Sequence, residues 1–155
     1  MHVKLRETPA KTTERRLTKR VEALWRMALA KDCPQNRLPS WPQLQAMDFG
    51  ADARFCFAVD MRLSDGFPYF IYLGEELCRY SNLYLAGRDQ FEDTLLDVAA
   101  GKLNDAVRAG DVFEYDDAFV LFDGRDVVFR SIFLPLSEDG HAITHIFGAA
   151  NGRLC

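Results

Sequence analysis

The stretch DVVFRSIFLPLSEDGHAITHIFGAAN, residues 126–151, decides the fold. Asp126–Leu136 is strongly apolar and reads as a strand. Glu138-Asp139-Gly140 is a turn, and His141–Ala150 reads as the strand that returns. Immediately upstream, Phe122-Asp123-Gly124-Arg125 carries the Asp-Gly hairpin signal, and Val112–Leu121 is a third strand rich in aromatics. Three antiparallel strands in succession therefore close the chain.

Working toward the N-terminus, the period changes. Gly74 to Gly110 is helical in character, with a first short helix at Glu75–Tyr80, a connecting stretch over 82–87, and apolar positions Phe91, Leu95, Val98, Leu103 and Val107 in later helices. Gly101 interrupts these helices and Gly110 is placed to cap the last. Before them, residues 54–63 alternate Phe55, Phe57, Val59, Met61 and Leu63 against smaller or polar side chains, the period of a half-buried strand. Ser64-Asp65-Gly66 turns the chain into a second strand over 68–73. Further upstream, Ser40 with Gln43 three residues later forms a capping box, and Pro42 suits a first turn, which predicts a helix over 41–47. Leu17, Val21, Leu24, Trp25 and Ala28 form one apolar face of a leading helix that begins at Thr12 or Thr13. It stops near Asp32, because Pro34 disfavours helix at Cys33.

The reading is thus α+β: a five-stranded antiparallel sheet with helices on one face and an N-terminal amphipathic helix. It divides the chain into a disordered tail (1–11), a helical extension (12–47) and the sheet domain (52–153).

The 155 residues fit one domain with an appendage. Net charge is −4, but residues 1–31 carry +6 and residues 32–155 carry −10. The basic segment surrounds an apolar stripe and no base-reading motif follows, so a solvated helix face against an acidic body is expected rather than nucleic-acid binding. No apolar run approaches the roughly 20 residues needed to span a bilayer, and the polar N-terminus is unlike a secretory signal. The four cysteines show no paired spacing and are expected as reduced thiols, consistent with a cytoplasmic location.

Chemistry-bearing clusters are sparse. His141 and His145, about 13 Å apart along a strand, are too distant to share a metal ion. Asp111, Glu114, Asp116 and Asp117 read as a solvated strand edge. Walker, GxGxxG, GxSxG and HExxH motifs are absent, and no catalytic residue is assigned. Phe57, Tyr72, Phe91, Phe129, Phe133 and Phe147 are first of all core. Secondarily they are candidate pocket walls for an apolar or planar molecule, with Asn82, Ser131 and His145 as polar anchors.

The order of elements resembles the PAS superfamily, and the wording resembles a bacterial, alphaproteobacterial-type family of stand-alone PAS-like proteins. The matching pieces are Trp25, Leu38-Pro39-Ser40, Phe70–Leu77, and Phe129–Gly140 running to Ile146–Asn151. The resemblance covers roughly residues 20–153. It departs at Arg79–Arg88, where such proteins often carry a Gly-Arg-Asp-Leu-like stretch. It implies a non-catalytic sensory module that acts through a signalling protein partner and takes a small ligand between sheet and helices. The stripe of the leading helix is the expected homodimer seam. No cofactor is required, and neither haem nor flavin is expected. The alternatives are a haem sensor with His145 as axial ligand, or a cone-shaped isomerase-like enzyme using Asp60 and Tyr115.

Overall fold

The computed structural model describes residues 16–31, 36–80, 84–86, 92–121 and 123–154. Helix α1 (Leu17–Lys31) and the short α2 (Trp41–Gln45) lead into a 3-10 turn at Gly50–Phe55. Strands β1 (Cys56–Asp60) and β2 (Phe70–Leu73) follow. Next come α3 (Glu75–Tyr80), a two-strand ribbon of β3 (Tyr84–Ala86) and β4 (Glu92–Thr94), α4 (Leu95–Ala100) and α5 (Leu103–Ala109). The chain then enters β5 (Phe113–Val120), β6 (Asp126–Leu136) and β7 (His145–Leu154). The main sheet has the order β2-β1-β7-β6-β5, and each neighbouring pair is antiparallel. This is the expected five-stranded α+β architecture.

Both faces of the sheet are covered. Phe57, Val59, Val127, Phe129, Phe133 and Ile146 pack with Leu77, Ala99, Leu103 and Ala106 of the α3–α5 cap. On the opposite, outer face, Cys56, Ala58, Ile132, Leu134, Phe147 and Ala149 pack with Leu17, Val21, Trp25 and Ala28 of α1. The burial patterns follow from this. Strand β6 is buried continuously from Ser131 to Leu136, as a strand covered on both sides must be. Edge strand β5 alternates half-buried with exposed.

Local chemistry sets several boundaries. The Ser40–Gln43 capping box forms as the spacing predicts, with Gln43 N–H donating to Ser40 Oγ at 3.2 Å and Ser40 N–H donating to Gln43 Oε1 at 2.8 Å. Gly110 ends α5 at φ 72°, a conformation open to glycine without strain. Strand β1 is shorter than its alternation suggests. Asp60 accepts from Arg62 N–H at 3.0 Å and winds Met61–Leu63 into a 3-10 turn. The last strand starts at His145 rather than His141, because the Asp139 carboxylate accepts from both His141 N–H (2.8 Å) and Ala142 N–H (2.9 Å). Those bonds hold that carboxyl down at about 2. Strand β3 of the ribbon lies in the expected connection, and β4 lies where the sequence suggested the start of a helix.

The same 137–140 turn clasps the N-terminal extension. Gly140 C=O accepts from Arg37 N–H at 3.0 Å and Leu38 N–H at 3.2 Å, and Ser137 N–H donates to Pro39 C=O at 2.9 Å. Two stretches that carry the family resemblance, Leu38-Pro39-Ser40 and the Ser137–Gly140 turn, are therefore bonded to one another. The extension is an integral layer of the fold. The expected disordered tail, residues 1–11, lies outside the described residues.

Candidate functional site

The pocket candidates divide between the two faces of the sheet. Phe57, Phe129, Ser131 and Phe133 share the cap face. There, cross-strand pairing lines up Leu73, Phe57, Gly148, Phe133 and Phe113 in one row. Gly148 contributes no side chain, so the Phe57 ring lies directly over it; a Cβ there would come within 2.2 Å of Phe57 Cζ. Phe57 meets Phe70 and Phe133 edge-on at 6.0 and 5.9 Å between centroids. Ser131 Oγ donates to Tyr115 C=O at 2.7 Å, so this hydroxyl is committed within the protein. Asn82 and Phe91 lie outside the described residues.

Tyr72, His145 and Phe147 fall on the outer face, which corrects their grouping with the cap-face residues. A strand's side chains alternate, so Phe147 and His145 point away from Ile146 and its cap-face neighbours. Phe147 meets Phe49 at 5.1 Å and Trp41 at 5.9 Å. Together with Tyr72, Leu44 and Met47 these rings wall a cleft of about 400 Å³ that opens to solvent, with Gln45 and Asp48 also lining it. Tyr72 stands upright because its hydroxyl donates to Ala53 C=O at 2.7 Å. Cys56 is at the cleft floor; its thiol donates to Asp52 C=O at 3.2 Å, and burial pushes its ionisation well above the ordinary thiol range. Trp41, Phe49 and Met47 were not singled out in the sequence. Trp41 opens the short α2 and Met47 and Phe49 follow it, and their signal was an apolar cluster around the capping box.

His145 sits in a polar trio. Its Nε2 is 3.6 Å from Asp60 Oδ2, and its Nδ1 is 2.8 Å from Thr144 Oγ1. Asp60 is gripped by Arg62 through Nε at 3.0 Å and Nη2 at 2.9 Å, and Arg62 continues to Glu138 at 2.6 Å. Hydrogen bonds from Arg62 hold the Asp60 carboxyl below its ordinary value. Burial pushes His145 down, outweighing the Asp60 carboxylate, which favours the charged ring. Both ring nitrogens thus face polar neighbours, an arrangement unsuited to an axial haem ligand. Asp60 and Tyr115 do not form an acid–base pair either: Asp60 shares the outer face with His145, whereas Tyr115 packs with Phe129 on the cap face.

The leading helix also departs from expectation. Leu17, Val21, Trp25 and Ala28 are buried against this chain's own sheet, Leu24 is half-buried, and Trp25 Nε1 donates to Pro135 C=O at 2.9 Å. Of the stripe expected as a homodimer seam, Leu17, Val21, Trp25 and Ala28 are therefore consumed within one chain and Leu24 only in part. Among the larger exposed apolar side chains, Leu63, Phe67 (83% exposed), Tyr69 and Ile71 lie before and along edge strand β2, while Met27, Val120 and Leu154 are scattered over α1, β5 and β7.

In the acidic stretch Glu114 pairs with Lys19 at 2.8 Å and Asp117 accepts from the Tyr115 hydroxyl at 2.7 Å. Among the described residues no three His, Cys, Asp or Glu side chains gather as metal ligands, and no helix is long and apolar enough to cross a membrane. Comparison with known proteins gives no match to a family model and none to a curated protein.

Proposed function

We propose that this chain is a non-catalytic sensory or regulatory module of the PAS type, acting in the cytoplasm through a protein partner, and that a small flat apolar molecule in the Trp41–Phe49–Phe147 cleft sets its state. The observation that carries this reading is the cleft itself. Its volume of about 400 Å³ lies in the range of small-molecule sites, its walls are aromatic, and polar groups line it only through a few side chains. The sheet order, with helices inserted between β2 and β5, supports the PAS assignment. The exposed side chains of Phe67, Tyr69 and Ile71, before and within β2, support a protein partner. The cleft lies under α2 and the 3-10 turn, so an occupant would bear on the same layer that Leu38 and Pro39 clasp to the sheet.

The test is native mass spectrometry of freshly purified full-length protein, with a titration by 1-naphthol read through tryptophan fluorescence. Trp41 lines the cleft and Trp25 is buried under α1. The expected result is a retained small molecule, or saturable quenching of Trp41, that disappears in Phe49→Ala with the circular dichroism of the fold unchanged. A bare chain that also shows no saturable quenching would sink the ligand reading.

A further inference from the structure

The outer face holds a second hollow, at the N-terminal end of α1. Its volume is about 250 Å³, and Thr18, Val128, Arg130, Asn151 and Arg153 line it together with Arg16. Strand pairing explains the gathering. Arg130 lies directly opposite Asn151, and Val128 opposite Arg153, so all four side chains leave the sheet on one side. Arg130 and Arg153 are diagonal neighbours, roughly 7–8 Å apart at this spacing. Among the described residues neither guanidinium has an ion-pair or hydrogen-bond partner. Asp116 stands opposite Arg130 on β5 but is exposed and forms no ion pair with it.

Two exposed guanidiniums held side by side repel weakly through solvent, and an anion placed between them is favoured. A second observation points the same way. Thr18 is only 5% exposed, it lines this hollow, and its hydroxyl has no hydrogen-bond partner among the described residues. An unpaired buried hydroxyl is costly and calls for an acceptor. Thr18 also lies in the first turn of a 15-residue helix, where amide N–H groups and the helix dipole favour negative charge.

We propose that this hollow binds the phosphate of a small phosphomonoester, with Arg130 and Arg153 gripping its oxygens and the Asn151 amide and Thr18 hydroxyl donating to it. A dianion matches two guanidiniums, and a phosphate's three free oxygens accept from donors that converge from two strands and a helix. The hollow is larger than a phosphate group, which leaves room for an organic remainder. The site is separate from the aromatic cleft and does not depend on it.

The test uses the full-length protein and glycerol 3-phosphate, followed by 31P NMR titration at constant ionic strength, with inorganic phosphate and succinate titrated in parallel. Saturable binding of glycerol 3-phosphate is expected. Arg130→Gln and Arg153→Gln should each weaken it about tenfold or more, the effect of losing a charge-assisted hydrogen bond. Thr18→Val should weaken it severalfold and Thr18→Ser should restore it. Both arginines are exposed, so their variants keep the fold, which unliganded melting confirms. Absence of saturable binding, or binding indifferent to both arginine changes, would overturn the site. Equal affinity for succinate would overturn the phosphate assignment, and binding of inorganic phosphate alone would overturn the monoester.

Discussion

The two faces of one sheet are closed in different ways. On the cap face, aromatic rings from neighbouring strands pack on one another, and Gly148 lets the Phe57 ring sit over β7. On the outer face, a single helix lies along β6 and β7, fixed by Trp25. A helix is about 10 Å across with its side chains, and strands stand about 4.8 Å apart. One helix therefore covers about two strands of five. The uncovered flanks account for the rest of that face: the exposed alternate residues of β5, the aromatic cleft roofed by α2 toward β2, and the arginine hollow at the start of α1. Ring-on-ring packing fills a face, whereas helix-on-sheet packing leaves hollows at the helix margins, and both candidate sites arise there.

The strongest way to break this comparison is to remove the outer anchor. Trp25→Ala deletes a fully buried indole and its bond to Pro135, and should cost about 3–5 kcal/mol in urea unfolding. A loss below about 1 kcal/mol would mean that α1 is an appendage and not a layer. Overfilling the cap face should cost somewhat less. Gly148→Ala forces the Phe57 ring away and should cost about 1–3 kcal/mol. Adding Phe57→Leu should recover part of that loss, and failure to recover any would show that the glycine matters for its backbone alone.

A smaller effect sharpens the contrast between an apolar face and one with a polar margin. His145 is depressed below its ordinary value of 6.5 by burial. As pH falls from 7 toward 5 the unfolded chain takes up that proton before the folded one, so stability declines in that window. Asp60, held low by Arg62, adds a separate loss below about pH 4. Urea midpoints measured against pH should show both steps, and His145→Gln should flatten the first while leaving the second. A profile unchanged by that substitution would remove His145 from the account.

Much of the architecture was legible along the chain. Period-two alternation located the strands, and β6 runs over the residues its apolar run marked, Asp126–Leu136. Ser40 and Gln43 specified their cap, and Gly110 the end of α5. Less was legible at the site. Tyr72 and Phe147 reached a cleft, but the cap-face residues grouped with them lie across the sheet. Trp41 and Phe49 join that cleft through contacts with a residue a hundred positions away, which no local pattern encodes. The 63–71 segment looked like a turn and a strand, and its exposure follows from β2 being an edge.

The sequence by itself determined the five main strands and most of the helices, their antiparallel order and the apolar face of the leading helix, because periodicity, caps and turns act over a few residues. Only the tertiary structure decided what covers each face. A stripe of Leu17, Val21, Trp25 and Ala28 demands burial with equal force against a second chain or against its own sheet. The bonds of Arg37, Leu38 and Ser137 at the 137–140 turn, distant along the chain and adjacent in space, chose the sheet.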